Sequence, residues 1–215
     1  MGIGDNLGAS FEYAKEALVG KWVRWILLII IGIIPIVNFV YSGYIVRVLR
    51  GIKPAPELED YGELFVDGLL YFIIAIIWMI PAIIVFMLLV GGSAVLAIAT
   101  DSLAAIAGMG LGMFVTLIVA LFCGLFAIIG LVRFARMEKF GEAFAVGAIM
   151  EKIKEIGWVN YIIALVILYV VVGVVIFILG LIPIIGWLLM FILVPFFGIF
   201  SARYICNLYD SAGTA

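Results

Sequence analysis

The sequence predicts an all-α integral membrane protein, and three observations carry that prediction. Of 215 residues, 68% are apolar and 12% are charged, and mean hydropathy is +1.41, far above the globular range. Uncharged runs extend from Leu69 to Val90, Met109 to Val132, Trp158 to Leu179 and Trp187 to Ser201, and most approach the roughly 20 residues that cross a hydrocarbon core of about 30 Å. The twelve lysines and arginines lie outside these runs, and all fall on one side of a membrane if the first apolar run folds back as a hairpin. Helix is the expected element because lipid leaves no backbone group another way to pair in an open segment. The ten-residue alternation of a membrane barrel is absent.

Along the chain, Met1 to Ser10 is polar and glycine-rich, without a signal-peptide pattern, so the first hydrophobic hairpin is expected to insert by itself. That hairpin covers roughly 11–50, and its turn is Gly32-Ile33-Ile34-Pro35-Ile36-Val37. An amphipathic interfacial segment over 54–68 follows, with Leu58, Tyr61, Phe65 and Leu69 on one helical face and Glu57, Asp60, Glu63 and Asp67 on the other. A second hairpin covers 69–136, a second interfacial segment 138–156, and a third hairpin 158–208. The whole of 1–215 reads as a single polytopic membrane domain of five to six membrane helices.

The three hairpins are pseudo-repeated. Val46-Arg47-Val48-Leu49-Arg50 is matched by Val132-Arg133-Phe134-Ala135-Arg136, and more loosely by Ala202-Arg203. Aromatic-Gly-Glu-x-Phe-x-x-Gly occurs twice, at Tyr61-Gly62-Glu63 with Phe65 and Gly68, and at Phe140-Gly141-Glu142 with Phe144 and Gly147. The Gly32 to Val37 turn is matched by Gly180-Leu181-Ile182-Pro183-Ile184-Ile185. Repeats in the same order run parallel, not inverted.

Gly32 to Arg47 covers about 22 Å at 1.5 Å per residue, short of a full crossing, so the first hairpin is a candidate re-entrant element. A rival topology makes 26–46 one span and puts Lys15, Lys21 and Arg24 opposite the other basic residues. The positive-inside tendency prefers twelve against none to nine against three, which places both termini in the cytoplasm and Asp101 in an external connection.

Histidine is absent, which removes the Ser-His triad, the usual catalytic zinc ligand and the commonest base at neutral pH. No acid or base stands in the middle of an expected span, against ion-coupled transport. The carboxylates from Glu57 to Asp67 do not have the spacing of a calcium loop and read as a solvated acidic face. Cys123 and Cys206 read as small hydrophobes, and Asn38, Thr116, Asn160 and Asn207 as helix glue. Gly91 to Gly112, rich in small residues, reads as a flexible external stretch, with Asp101, Gly108 and Gly112 as a possible pore or docking loop. Arg47, Arg50, Arg133, Arg136 and Arg203 stand where helices reach the headgroups, and lipid phosphate is their expected partner. No catalytic, cofactor or metal site is expected, and no basic patch suits nucleic acid.

The stretch Tyr44 to Leu70, with Arg47, Arg50, Pro56-Glu57 and the Tyr61 to Gly68 run, resembles a family of prokaryotic, chiefly archaeal, multi-spanning membrane proteins catalogued as domain of unknown function 4013. The resemblance covers nearly the whole chain. It implies helical membrane architecture and an archaeal source, and it brings no activity and no catalytic residue.

The function expected is therefore non-enzymatic: self-association as a homo-oligomer, lipid binding, or an accessory or scaffold role in a membrane complex. The alternative is a passive channel or carrier for a small neutral or lipidic solute. A headgroup-modifying enzyme would need Glu63 or Glu142 as its base.

Overall fold

The computed structural model describes residues 2–100 and 102–211, and these are helical apart from short connections, with no strand among them. Four helices are long and apolar enough to cross a membrane, so the chain is a multi-pass, all-α membrane protein. The chain forms two compact units, Met1–Phe72 with Ile129–Ala215, and Ile73–Ile128.

In the first unit, α1 (Ile3–Leu18) opens with Asp5 accepting a hydrogen bond from the Gly2 amide at 3.3 Å, a carboxylate placed to favour the helix dipole. Its buried stripe, Asn6, Ser10, Tyr13, Ala14, Ala17 and Leu18, has helical spacing. This stripe packs on the last helix of the chain, and because four of its six residues are polar or small, hydropathy alone does not reveal it.

Helices α2 (Trp22–Ile33) and α3 (Asn38–Leu49) form the first hairpin, 12 residues each, about 18 Å at 1.5 Å per residue. Residues 26–46 are thus not one helix. The turn between α2 and α3 is closed by the Asn38 side-chain amide donating to the Gly32 carbonyl at 2.6 Å.

Residues 51–60 are irregular, where a helix over 54–68 was expected; helix starts only at Tyr61. Pro54 and Pro56 deny this segment two amide donors and bias their predecessors away from helix. Its carbonyls are taken by side chains instead: Tyr13 donates to Ile52 at 2.9 Å, Tyr44 to Pro56 at 3.1 Å and Arg47 to Glu59 at 2.9 Å.

Helix α4 (Tyr61–Phe86) runs without a break through a π-helical turn at Met87–Gly91 into α5 (Gly92–Thr100), making 40 residues of continuous helix. Helix α6 (Leu103–Met137) is 35 residues long. Gly91 to Gly112 is therefore mostly helix rather than a flexible stretch, and Asp101 lies outside the described residues. Within the second unit, a Cβ on Gly112 would stand 2.9 Å from the Leu89 Cβ, and one on Gly108 3.0 Å from the Ser93 hydroxyl. Both glycines serve a close helix pair inside the chain. Trp78 stacks on Phe126 with centroids 6.0 Å apart, yet few of this unit's large apolar side chains are buried; Ile98 is 84% exposed.

A 3₁₀ turn (Phe140–Phe144) precedes the amphipathic α7 (Val146–Ile156), which buries Ile149, Ile153 and Ile156. Helices α8 (Trp158–Gly180) and α9 (Ile185–Ser211) make the last hairpin. The first unit's core centres on Tyr44, Tyr161 and Tyr204, all fully buried; the Tyr44 and Tyr204 hydroxyls donate to the Pro56 and Ala164 carbonyls, each at 3.1 Å.

Ile36 and Ile184 have φ of 72° and 63°, and each follows the proline of its Gly-x-x-Pro turn. A β-branched residue there is strained, and both side chains are exposed, so glycine removes the strain at little cost in packing. Ile36→Gly and Ile184→Gly are each expected to stabilise the protein by about 1 kcal/mol, read as a rise in unfolding temperature of the purified protein.

Candidate functional site

The charged residues gather in the first unit, and the densest group lies between α3 and α4. Arg47 in the last turn of α3 and Arg50, which caps that helix, are three apart, and Glu63 and Asp67 are four apart on α4, so each pair shares a face. The helices run antiparallel because glycines let the backbones meet: a Cβ on Gly43 would stand 1.8 Å from the Leu64 carbonyl oxygen, and one on Gly68 1.7 Å from that of Phe39. Phe65 packs edge-on against Phe39 at 5.6 Å.

This approach brings Arg47 within 3.1 Å of Glu63 and 3.6 Å of Asp60, while Arg50 reaches Asp67 at 2.7 Å, Glu63 at 3.4 Å and Glu138 at 3.4 Å. Arg47 and Asp67 are buried, 9% and 8% exposed. The acidic face expected to be solvated is thus partly the counter-charge of the two arginines at the end of α3. Burial of such groups demands pairing, so the cluster holds together only as a set.

The second copy of the motif pairs in the same way despite a different local fold. Glu63 stands in the first turn of α4, whereas Glu142 stands in the 3₁₀ turn; Glu142 nevertheless meets Arg133 in an ion pair. Gly62, Gly141 and Gly147 have open space where a Cβ would go, and Phe144 stacks edge-on with Phe140 at 5.4 Å. Of the motif glycines, Gly68 alone sits against backbone.

Arg136 donates to Asp210 at 2.7 and 2.8 Å, to the Leu49 carbonyl at 3.0 Å and to the Cys206 sulfur at 3.0 Å. Cys206 is therefore a buried thiol in a polar setting, not simply a small hydrophobe. Arg203, 3% exposed, lies over the Tyr13 ring at 4.7 Å from its centroid. Burial pushes the Tyr13 hydroxyl well above the usual phenol range, so it stays protonated and keeps its bond to Ile52. The five arginines whose expected partner was lipid phosphate thus all have partners inside the chain, four of them carboxylates.

Sequence reasoning did not identify Asp210, Glu138 or Glu57 as counter-ions, because nothing in local spacing marks a pair 74 residues apart such as Arg136 and Asp210. Of the four polar residues expected as glue, Asn207 bonds between helices, donating to Asn6 at 2.9 Å and Ser10 at 3.3 Å. Asn38, Thr116 and Asn160 bond to carbonyls no more than six residues away. Among the described residues, no group of three or more acidic or cysteine side chains could hold a metal ion.

A further ion pair fastens the irregular segment to α2. Buried Arg24 pairs with Glu57 and donates to the Ala17 carbonyl at 3.1 Å, with Lys21 3.6 Å from the same carboxylate. The bond from Arg24 holds the Glu57 carboxyl below the usual carboxylate range. A lowered folded-state value means that its contribution is present above the unfolded value of about 4.3 and is lost as pH falls through the folded one. Between pH 6 and pH 3, wild-type unfolding temperature is expected to fall more steeply than that of Glu57→Gln; equal slopes would show that the pair contributes nothing.

No curated protein and no solved structure matches this chain. Residues 26–184, which include all but the start of the first hairpin, both copies of the Gly-Glu motif and the three arginines they pair with, match the model of the family described as protein of unknown function (DUF4013), and the chain belongs to that family.

Proposed function

We propose that this is a non-enzymatic membrane protein that works by association, as a homo-oligomer or as the accessory subunit of a membrane complex, with lipid as its other partner. The observation that carries this reading is the second unit. Its helices belong to elements of 40 and 35 residues, about 60 and 52 Å at 1.5 Å per residue, against a hydrocarbon core of about 30 Å. Val95, Ile98, Leu103 and Leu111 are among its most exposed side chains. Apolar helix in excess of one hydrocarbon thickness is accommodated by tilt or covered by protein, and a chain with so little polar chemistry is suited to supplying surface.

Native mass spectrometry of gently extracted protein tests this. The expected result is a defined homo-oligomer or a fixed stoichiometry with one other protein. A strict monomer in lipid nanodiscs, with no partner in native membranes, would overturn it.

The same reading places both termini in the cytoplasm, since all twelve basic residues lie outside Ile73–Ile128. A cysteine at exposed Gly8 is expected to react with an impermeant maleimide in inverted vesicles and not in intact cells. The first hairpin, at 12 residues per helix, enters the membrane and returns without crossing. The matched pairs Arg47–Glu63 and Arg133–Glu142, with the left-handed isoleucines of the two proline turns, support an internal repeat.

A further inference from the structure

Four of the five arginines at the charged end of the helices are neutralised by carboxylates, and Arg203 is not. Among the described residues no acidic group pairs with it; its contacts are the Tyr13 ring and, at 4.0 Å, the Cys206 sulfur. A guanidinium this buried without a counter-charge is costly. It lines a cavity of about 280 Å³ where α1, α9 and the 51–60 segment meet, together with Lys53, Asn207, Tyr13, Glu12 and Glu16.

The charge balance of this cavity specifies its ligand. Lys53 has no ion pair among the described residues, so two uncommitted cations face it. Glu12 is held by Lys15 at 3.2 Å, leaving Glu16 as the one lining carboxylate without an ion pair among the described residues. Two cations against one carboxylate leave a single positive charge, which suits a singly charged anion better than a doubly charged one. The guanidinium is suited to paired oxygens of a phosphate, and Lys53 can supply a second contact. Asn207 spends its amide donors on Asn6 and Ser10, and the Tyr13 hydroxyl is spent on Ile52, so these two shape the cavity without adding donors.

We propose that the Arg203 cavity binds a monoanionic phosphodiester, of the kind carried by an anionic lipid headgroup or by a soluble glycerophosphodiester. The site adds a lipid-class ligand to the association reading and stands or falls separately from it, because subunit number and ligand retention are distinct readouts.

The test uses the full chain, exchanged into nanodiscs of phosphatidylcholine containing a minor fraction of phosphatidylglycerol, then released for native mass spectrometry. One phosphatidylglycerol per chain is expected to stay bound. Arg203→Gln is expected to reduce its retention about tenfold and Arg203→Lys less. Lys53→Gln, an exposed change that leaves the core untouched, is expected to reduce it several-fold, whereas Lys154→Gln, the same charge loss at an exposed position of α7, should not. Glu16→Gln is expected to tighten binding. Competition by glycerophosphoglycerol would identify a soluble phosphodiester as a source, and resistance to it a lipid headgroup. Equal retention of phosphatidylcholine, or retention unchanged in Lys53→Gln and in a folded Arg203→Gln, overturns the proposal.

Discussion

Gly68→Ala is expected to destabilise the protein by more than about 3 kcal/mol, the upper end of overpacking costs, and to abolish a monodisperse folded species. The added Cβ would meet the Phe39 carbonyl oxygen at 1.7 Å, which is backbone and cannot rotate away, so α3 and α4 would have to part. Parting them undoes more than van der Waals contact, since the same approach sets Arg47 and Arg50 opposite Glu63 and Asp67. Gly43→Ala, with its Cβ 1.8 Å from the Leu64 carbonyl oxygen, is expected to behave alike. Gly147 holds the equivalent motif position with open space around it, and alanine there is expected to change stability by less than about 0.5 kcal/mol, as at ordinary surface sites. Thermal unfolding of the purified variants reads all three. A well-folded Gly68→Ala protein would mean that α3 and α4 are not in backbone contact.

Arg50→Gln is expected to cost about 3 kcal/mol, as removing one member of a buried ion pair does. It leaves Asp67, 8% exposed, with its 2.7 Å partner gone. Replacing both residues together, Arg50→Met with Asp67→Leu, is expected to recover much of the loss, because an apolar pair of similar volume carries no desolvation cost. A double-mutant cycle over the wild type, Arg50→Met, Asp67→Leu and the double variant, measured by unfolding, isolates the interaction. Additive losses would place the effect in packing and not in charge.

The parts of the fold that could be read from sequence were those set by lipid. The start of α8 and the charged ends of α4, α6 and α9 follow from where charge stops, and the turns at Pro35 and Pro183 from Gly and Pro in otherwise apolar runs. The Gly91 to Gly112 stretch misled because small residues favour loops in water, whereas a close helix pair also needs them, as Gly112 against Leu89 shows. The 54–68 segment misled for the opposite reason: its amphipathic spacing is real only from Tyr61 onward, and before that point side chains from α1 and α3 capture the carbonyls a helix would use. At the charged end, the arginines were legible as a group but their counter-ions were not. Arg136 and Asp210 meet only after α6 and α9 pack, and no periodicity records a pairing of that separation.

The clasp between α1 and α9 bears on how the chain is made. Asn6 donates to the Tyr204 carbonyl at 3.1 Å and accepts from Asn207 at 2.9 Å, across 198 and 201 residues of sequence. During synthesis α1 emerges well before the helix that satisfies it, and contacts of such separation form late. Until α9 is threaded, Asn6 lacks its partners Tyr204 and Asn207, and water takes their place. Closure of the clasp therefore ties the first helix to the last, and the inner face of α1 is buried only once the whole chain has been made.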